Sequence, residues 1–177
     1  MKKIGLNIKG LCKQIKADKN RMIWSLKDGA HSITNRHWMI TLTELPREVK
    51  TVLLTIFGDF PEEGRCLQNT SYSAIPLNSP SVDGLILDRE HAVPARKTDY
   101  LLSSSKVGDL RIFKAGENFI YIKESFLEAI DPNFGFENMS SFGKLSPFIF
   151  EDLNYVVLPV RIGEEKDLLT LKELTDE

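Results

Sequence analysis

Apolar positions in the first 43 residues change from a helical spacing to a strand spacing. Residues 8–19 fill the i, i+3, i+4, i+7 positions of an amphipathic helix with Ile8, Leu11, Cys12 and Ile15. Two apolar-rich segments, residues 21–25 and 30–34, flank a Lys-Asp-Gly turn signal and predict a β-hairpin. Residues 37–43 predict a further strand.

Residues 46–57 fit two interpretations. Pro46 at the start and Gly58 after the end are typical of a helix. The five β-branched residues inside the segment also suit a strand. We favour the helix.

The composition changes in residues 58–97, which carry four of the eight prolines. Such a segment predicts loops with short strands, at residues 72–77 and 84–87. We interpret it as an irregular connection between two halves of the chain.

The second half alternates apolar segments with turns. Strands are predicted at residues 109–113, 118–122, 135–138, 147–151 and 155–161. Residues 123–130 predict a helix that has Phe126, Leu127 and Ile130 on one face and stops at Asp131-Pro132.

This order of elements predicts an α+β fold with two helices packed on antiparallel sheets. Strands and a helix occur on both sides of the irregular connection, so the architecture is coarsely duplicated although no residue-level repeat is visible. We expect a single domain over residues 1–162, with halves at about 1–57 and 98–162, followed by an acidic tail at 163–177.

Charge leaves the question of nucleic-acid binding open. The 177-residue chain has a net charge of −2, but a basic stripe can lie on an acidic protein. Such a stripe is formed by Lys9, Lys13, Lys16, Lys19 and Arg21. It predicts either salt-sensitive contacts with DNA phosphates or a solvated helix face. The acidic residues of the predicted second helix favour the solvated face.

Motifs of common chemistries are missing from the sequence. Two distant cysteines and three histidines match no metal spacing, and no P-loop, GxGxxG or GxSxG occurs. We therefore predict no catalytic residue, metal or cofactor. No signal peptide or membrane span is indicated, so a cytoplasmic location is expected.

The end of the chain resembles a known family. GENFIYIKESFLEAI (116–130) and SPFIFEDLNYVVLPVRI (146–162) resemble the closing half of the last domain of bacterial DNA polymerase sliding clamps. That family ends in a strand of the type YVVMPMRL, which this chain matches through its Pro and Arg. Residues 32–40, SITNRHWMI, resemble the ATDGHRLA stretch of the same clamps, with Thr34 and His37 matching.

In sliding clamps these two stretches line a pocket that receives short peptide motifs of polymerases and clamp loaders. The resemblance implies a peptide groove formed by His37, Trp38, Met39, Val157, Leu158, Pro159, Val160 and Arg161. A shallow apolar cleft with an arginine rim suits such peptides. The alternative is a buried C-terminal strand with no pocket.

The function that the resemblance implies is a non-enzymatic scaffold of DNA replication or repair, encoded by a phage or another mobile element. It would bind peptide motifs and contact duplex DNA non-specifically. Clamp rings contain six clamp domains and this chain has room for one, so a homo-oligomer is expected if a ring forms. The alternatives are a clamp-fold protein–protein interaction module that does not bind DNA, and a small enzyme with a site in residues 58–97.

Overall fold

The computed structural model describes residues 5–70, 73–78 and 89–162 of the chain. Within them lie two α-helices, α1 (Ile8–Ala17) and α2 (Arg47–Phe57). The strands are β1 (Ile23–Lys27), β2 (Ala30–Thr34), β3 (Trp38–Leu42), β4 (Arg65–Thr70), β5 (Ser73–Asn78), β6 (Val93–Ser104), β7 (Gly108–Ala115), β8 (Asn118–Lys123), β9 (Met139–Ser141), β10 (Phe148–Phe150) and β11 (Tyr155–Val157).

All the named strands pair antiparallel in one sheet of order β5-β4-β1-β2-β3-β11-β10-β9-β6-β7-β8. The α+β class, with two helices and an antiparallel sheet, is therefore confirmed. No helix in the described part of the chain is long and apolar enough to cross a membrane.

Helix α1 forms where the apolar spacing predicts it. The side chain of Asn7 accepts a hydrogen bond from the Gly10 N–H and caps the first turn. Leu11 and Ile15 are fully buried in the main core. At Gly10 the helix lies so close to the backbone carbonyl of Glu128 that a Cβ atom would have no room.

The β1–β2 hairpin is confirmed at the Lys-Asp-Gly turn. Asp28 and Gly29 both adopt positive φ angles, 52° and 73°. Positive φ at both central residues is the requirement of a two-residue turn whose twist matches the strands. Lys27 therefore pairs with Ala30 directly across the turn.

Residues 47–57 are helical, so the helical interpretation of this segment is confirmed. Gly58 ends α2 in the left-handed conformation, with φ 79°. The β-branched Val49 and Val52 lie on the buried face beside Leu53 and Phe57. Burial on one face therefore outweighs their preference for strands.

The irregular connection predicted for residues 58–97 is more ordered than expected. Strand β5 confirms the strand predicted at 72–77 from residue 73 onwards, while β4 and the start of β6 were not predicted. β4 adds to the sheet beside β1, with Trp24 opposite Leu67. This pairing between distant segments has no signature in the local pattern. The strand predicted at 84–87 lies outside the described residues.

The helix predicted at residues 123–130 is wrong. Only one 3₁₀ turn forms, Glu124–Leu127. An α-helix would use the Phe126 carbonyl for the Ile130 N–H, but that carbonyl accepts a hydrogen bond from the Tyr155 hydroxyl at 2.6 Å. The Ile130 N–H bonds instead to Leu127 O.

Two strand predictions near the C-terminus also need correction. Residues 135–138 bend rather than extend because the Gly135 N–H bonds back to Asp131 O at 2.8 Å, and β9 starts only at Met139. The strand predicted at 155–161 ends at Val157. Pro159 has no N–H for a ladder, and the chain leaves the sheet there. The tail at 163–177 lies outside the described residues.

Two three-stranded meanders lie side by side in the sheet. One is β1-β2-β3 and the other is β9-β10-β11, and their last strands pair as Trp38↔Val157 and Ile40↔Tyr155. Each meander follows a helical segment, α1 or the 3₁₀ turn. A bridge between Leu6 and Ile130 joins the regions around these segments. Both meanders therefore come after a helical segment in the chain.

A buried polar network links the two meanders to α1. The Gln14 Nε2 atom donates to the Tyr155 hydroxyl at 2.6 Å, and that hydroxyl donates to Phe126 O. The Ala129 N–H donates to Gln14 Oε1 at 3.3 Å. Tyr155 is fully buried, and burial raises the pKa of its hydroxyl far above the usual range. The hydroxyl therefore stays protonated and keeps its donor.

Tyr155→Phe is expected to lower the free energy of unfolding by about 1–3 kcal/mol, because it leaves buried groups of Gln14 and Phe126 without a partner. Urea unfolding measures the loss. The double variant with Gln14→Leu should lose less than the sum of the two single variants, since both changes break the same bond. A Tyr155→Phe protein that unfolds at the parent's urea concentration contradicts this assignment.

Gly10→Ala is expected to destabilise the protein by about 1–3 kcal/mol, although alanine is the better helix former. The added Cβ would lie 1.6 Å from Glu128 O, so α1 or the facing turn must shift. Lys16→Ala, an exposed change in the same helix, serves as the control and should stay within about 0.5 kcal/mol of the parent. If Gly10→Ala is as stable as the parent or more stable in thermal unfolding, the close approach of α1 to Glu128 does not constrain the fold, and the prediction is wrong.

Acid should weaken the fold through His31. The His31 Nδ1 atom accepts a hydrogen bond from Trp24 Nε1 at 3.1 Å, which only neutral His31 can do. Burial, helped by the Lys50 charge and opposed by Glu63, lowers the His31 pKa below 6.5. Protonation therefore favours the unfolded chain. The contribution of neutral His31 to the free energy of unfolding is complete above pH 6.5 and is lost as the pH falls towards the folded-state pKa.

Urea unfolding monitored by tryptophan fluorescence, between about pH 5 and 8, tests this linkage over the window in which histidine titrates. His31→Gln keeps an acceptor but has no proton to gain, so its stability should depend less on pH. Identical pH profiles for His31→Gln and the parent would exclude His31 as the source.

Candidate functional site

The two stretches that resemble sliding clamps lie side by side. Strands β3 and β11 pair so that Trp38 faces Val157 and Met39 faces Val156. The Leu158 N–H then donates to His37 O at 2.8 Å. Residues 37–39 and 157–158, which are far apart in sequence, thus lie together where two central strands of the sheet meet.

Burial divides the predicted peptide-groove residues into two groups. Trp38 is 2% exposed and Val157 is 0% exposed, so both belong to the main core. The Trp38 Nε1 atom has no hydrogen-bond partner among the described residues. The more accessible members are the exposed His37, Leu158 and Arg161 and the half-buried Met39, Pro159 and Val160. We call His37, Leu158 and Arg161 the exposed corner.

A side-chain turn fixes His37 at this corner. The Asn35 Oδ1 atom accepts from the N–H groups of His37 and Trp38, at 2.8 and 2.9 Å. Asn35 itself is held by a hydrogen bond from its Nδ2 to Asp18. The imidazole of His37 then stacks near Phe126, with ring centroids 6.2 Å apart. Asparagine thus provides a side-chain acceptor at the position where the clamps have aspartate.

The C-terminal segment beyond β11 covers a second apolar cluster, formed by Leu110, Ile112, Phe119 and Tyr121. The Val160 N–H donates to Tyr121 O at 2.8 Å, and Val160 and Ile162 pack on the cluster. The Leu-Pro-Val-Arg ending therefore carries the chain from β11 to the outer side of β8. Val160 is engaged by this contact, which the sequence pattern did not predict.

The predicted basic residues remain together and exposed. Lys9, Lys13 and Lys16 project from α1, while Lys19 and Arg21 lie in the short 3₁₀ helix that follows it. Lys13 pairs with Glu128 at 2.9 Å. An exposed pair of this kind contributes little stability and is easily exchanged for another anion.

Two clefts adjoin α1 and share Asn7, Lys9 and Lys13 as a common wall. The larger, of about 1280 Å³, also contains Lys16 and Arg47, with Glu48 and Asp131 as its acidic residues. The smaller, of about 660 Å³, adds Lys97 and Lys123 and the acidic Asp109, Glu124 and Glu128. Neither cleft is lined by the predicted peptide-groove residues.

Three residues that line these clefts were not predicted as site residues from the sequence: Arg47, Lys97 and Phe134. Arg47 opens α2, Lys97 lies in β6, and Phe134 lies in the turn before β9. Phe134 is 57% exposed. Their sequence neighbourhoods share no pattern. Arg47 and Phe134 line the larger cleft and Lys97 lines the smaller, so only folding brings each of them beside α1.

Two carboxylates of the segment after β8, those of Glu124 and Glu128, are paired with cations. The Arg111 guanidinium makes two hydrogen bonds to Glu124, at 2.6 and 3.0 Å, and this contact raises the pKa of Arg111. Glu128 pairs with Lys13. The acidic character of this segment is therefore largely neutralised by basic neighbours.

No group of three or more His, Cys, Asp or Glu residues in the described ranges is arranged to hold a metal ion. Cys12 and Cys66 form no disulfide, and burial raises the pKa of the Cys12 thiol. The surfaces on which a function can be argued are thus the exposed corner and the two clefts beside α1.

Comparison of the chain with models of protein families, with curated proteins and with solved structures found no match. The resemblance to sliding clamps therefore rests on the motifs in residues 32–40, 116–130 and 146–162.

Proposed function

We propose that this chain is a non-enzymatic, sliding-clamp-like scaffold of DNA replication or repair that contacts duplex DNA through α1. The observation that carries the proposal is the grouping of Lys9, Lys13, Lys16 and Arg47 around one cleft. Cations held on a helix face attract phosphates without reading base sequence. This is the mode of contact that a protein moving along DNA needs.

The two adjacent meanders support the clamp-like part of the proposal. Each follows a helical segment, and their last strands pair through β3 and β11. A helical segment before a meander in each half is consistent with the coarse duplication predicted from the order of elements. The pairing also puts residues 37–39 beside residues 157–158, in the two stretches that carry the resemblance.

The acidic segment after β8 does not oppose DNA contact as strongly as its sequence suggests. Glu124 is engaged by Arg111 and Glu128 by Lys13. An Asp131 carboxylate oxygen accepts the N–H of Asn133 within its own turn. Of these carboxylates, Glu124 is offset by a cation outside α1, since the Arg111 guanidinium pairs with it at 2.6 Å.

Charge removal on α1 tests the proposal. The triple variant Lys9→Gln, Lys13→Gln, Lys16→Gln should lose retention on circular duplex DNA. Its binding should also depend less on salt, with a log–log slope smaller by about 2.7 if each lysine neutralises one phosphate. Glutamine avoids placing a new carboxylate beside Glu128.

The matched control changes three exposed lysines elsewhere, Lys27, Lys106 and Lys144, to Gln. It has the same net charge as the test variant and should retain DNA like the parent. Equal retention by the test variant and the parent would refute the DNA contact. Light scattering on the same samples reports the mass, and a ring predicts six chains.

A protein–protein interaction module that does not bind DNA is the second candidate. The exposed corner favours it, since exposed Leu158 and Arg161 follow the β3–β11 pairing. Polymerase or clamp-loader peptide motifs are the partners we propose for this corner. Peptide binding that survives in a chain with no DNA affinity would favour this candidate. An enzyme site in residues 58–97 stays a prediction, because part of that segment lies outside the described residues.

A further inference from the structure

The larger cleft beside α1 combines an apolar floor with a cationic rim. Leu6, Ile8 and Val52 contribute the floor. Lys9, Lys13, Lys16 and Arg47 contribute the cations, against the carboxylates of Glu48 and Asp131. Cations outnumber carboxylates by two, four against two. A ligand that is negatively charged along one side and flat or apolar along the other suits this surface.

Phe134 is the aromatic residue of this cleft, and the residue is 57% exposed. In the described part of the chain it belongs to neither apolar cluster and to no aromatic pair. Phe136, two residues later, instead packs near Phe113 and Phe150. Phe134 is therefore exposed to solvent, whereas Phe136 packs against aromatic residues of the core.

A constrained turn presents Phe134 to the cleft. The Asp131 N–H donates to Gly5 O at 2.7 Å, and the Gly135 N–H donates to Asp131 O at 2.8 Å. A Cβ atom on Gly135 would lie 2.1 Å from the Ile130 side chain, so the turn is tightly packed on both sides of Phe134. Little ordering is then needed when a ligand meets the ring.

We propose that this cleft binds an unpaired nucleotide of single-stranded DNA, with its base stacked on Phe134 and the flanking phosphates on Lys9, Lys16 and Arg47. Single-strand sites combine a cationic groove with an aromatic platform in this way. Lys9, Lys13 and Lys16 repeat at about one helical turn, about 5.4 Å, and so follow a strand running along α1. The inference rests on the proposed DNA contact and adds the single-stranded part of the substrate.

Paired duplexes test the stacking directly. One is blunt and the other carries a single-stranded tail containing 2-aminopurine, whose fluorescence falls on stacking. The parent should bind the tailed DNA about tenfold more tightly than the blunt DNA and quench the probe. Phe134→Ala should lose both effects and keep its affinity for the blunt duplex. Phe134→Tyr should restore them because a tyrosine ring also stacks.

Leu145→Ala is the matched control, since Leu145 is 54% exposed and does not line the cleft. Equal preference for tailed DNA in the parent and Phe134→Ala overturns the stacking while leaving the duplex contact in place. Binding of neither DNA overturns both the proposed function and this inference. Phe134-dependent binding of an acidic peptide, with no single-strand preference, assigns the cleft to a peptide and overturns the nucleotide.

Discussion

The Tyr155 hydroxyl is the contact on which the arrangement of this molecule depends. It accepts from Gln14 on α1 and donates to the Phe126 carbonyl, so one oxygen atom connects the first helix, the last strand and the segment after β8. Because Tyr155 is fully buried, loss of its hydroxyl would leave polar groups of Gln14 and Phe126 without this partner. The network therefore selects one relative position for α1 and the two meanders, where apolar packing alone would tolerate several.

The same hydroxyl explains why the two halves are similar but not equal. The first half has a full α-helix before its meander, and the second has one 3₁₀ turn. Phe126 O is taken by Tyr155, the Ala129 carbonyl by the Asn7 N–H, and the Glu128 carbonyl lies against Gly10. Of these three, only the Phe126 carbonyl would have joined the ladder of a helix over residues 123–130, while the Glu128 and Ala129 carbonyls serve the docking of α1 and its N-cap.

Elements with a local cause could be predicted from the sequence. The period of Ile8, Leu11 and Ile15 places α1, and the Lys-Asp-Gly turn places the β1–β2 hairpin. Elements decided by distant partners could not. β4 pairs with β1, which is distant in sequence, and the path of the chain after β11 is held by the hydrogen bond between Val160 and Tyr121. For the candidate site the stripe of lysines was visible, but Arg47 and Phe134 join it only after folding.

The orientation of the lysine face follows from the buried face of α1. Gly10, Leu11, Gln14 and Ile15 are the buried positions of this helix. Because 3.6 residues make one turn, fixing these positions inward turns Lys9, Lys13 and Lys16 outward. Gly10 sets how closely the helix approaches the turn after β8, and Gln14 sets its rotation through the bond to Tyr155. The distance between the lysines and Phe134 is therefore a consequence of core contacts on the opposite side of α1. A change at Gln14 or Gly10, neither of which would touch a phosphate, should disturb DNA contact through geometry, whereas a change at Lys9 acts through charge and alters the salt dependence.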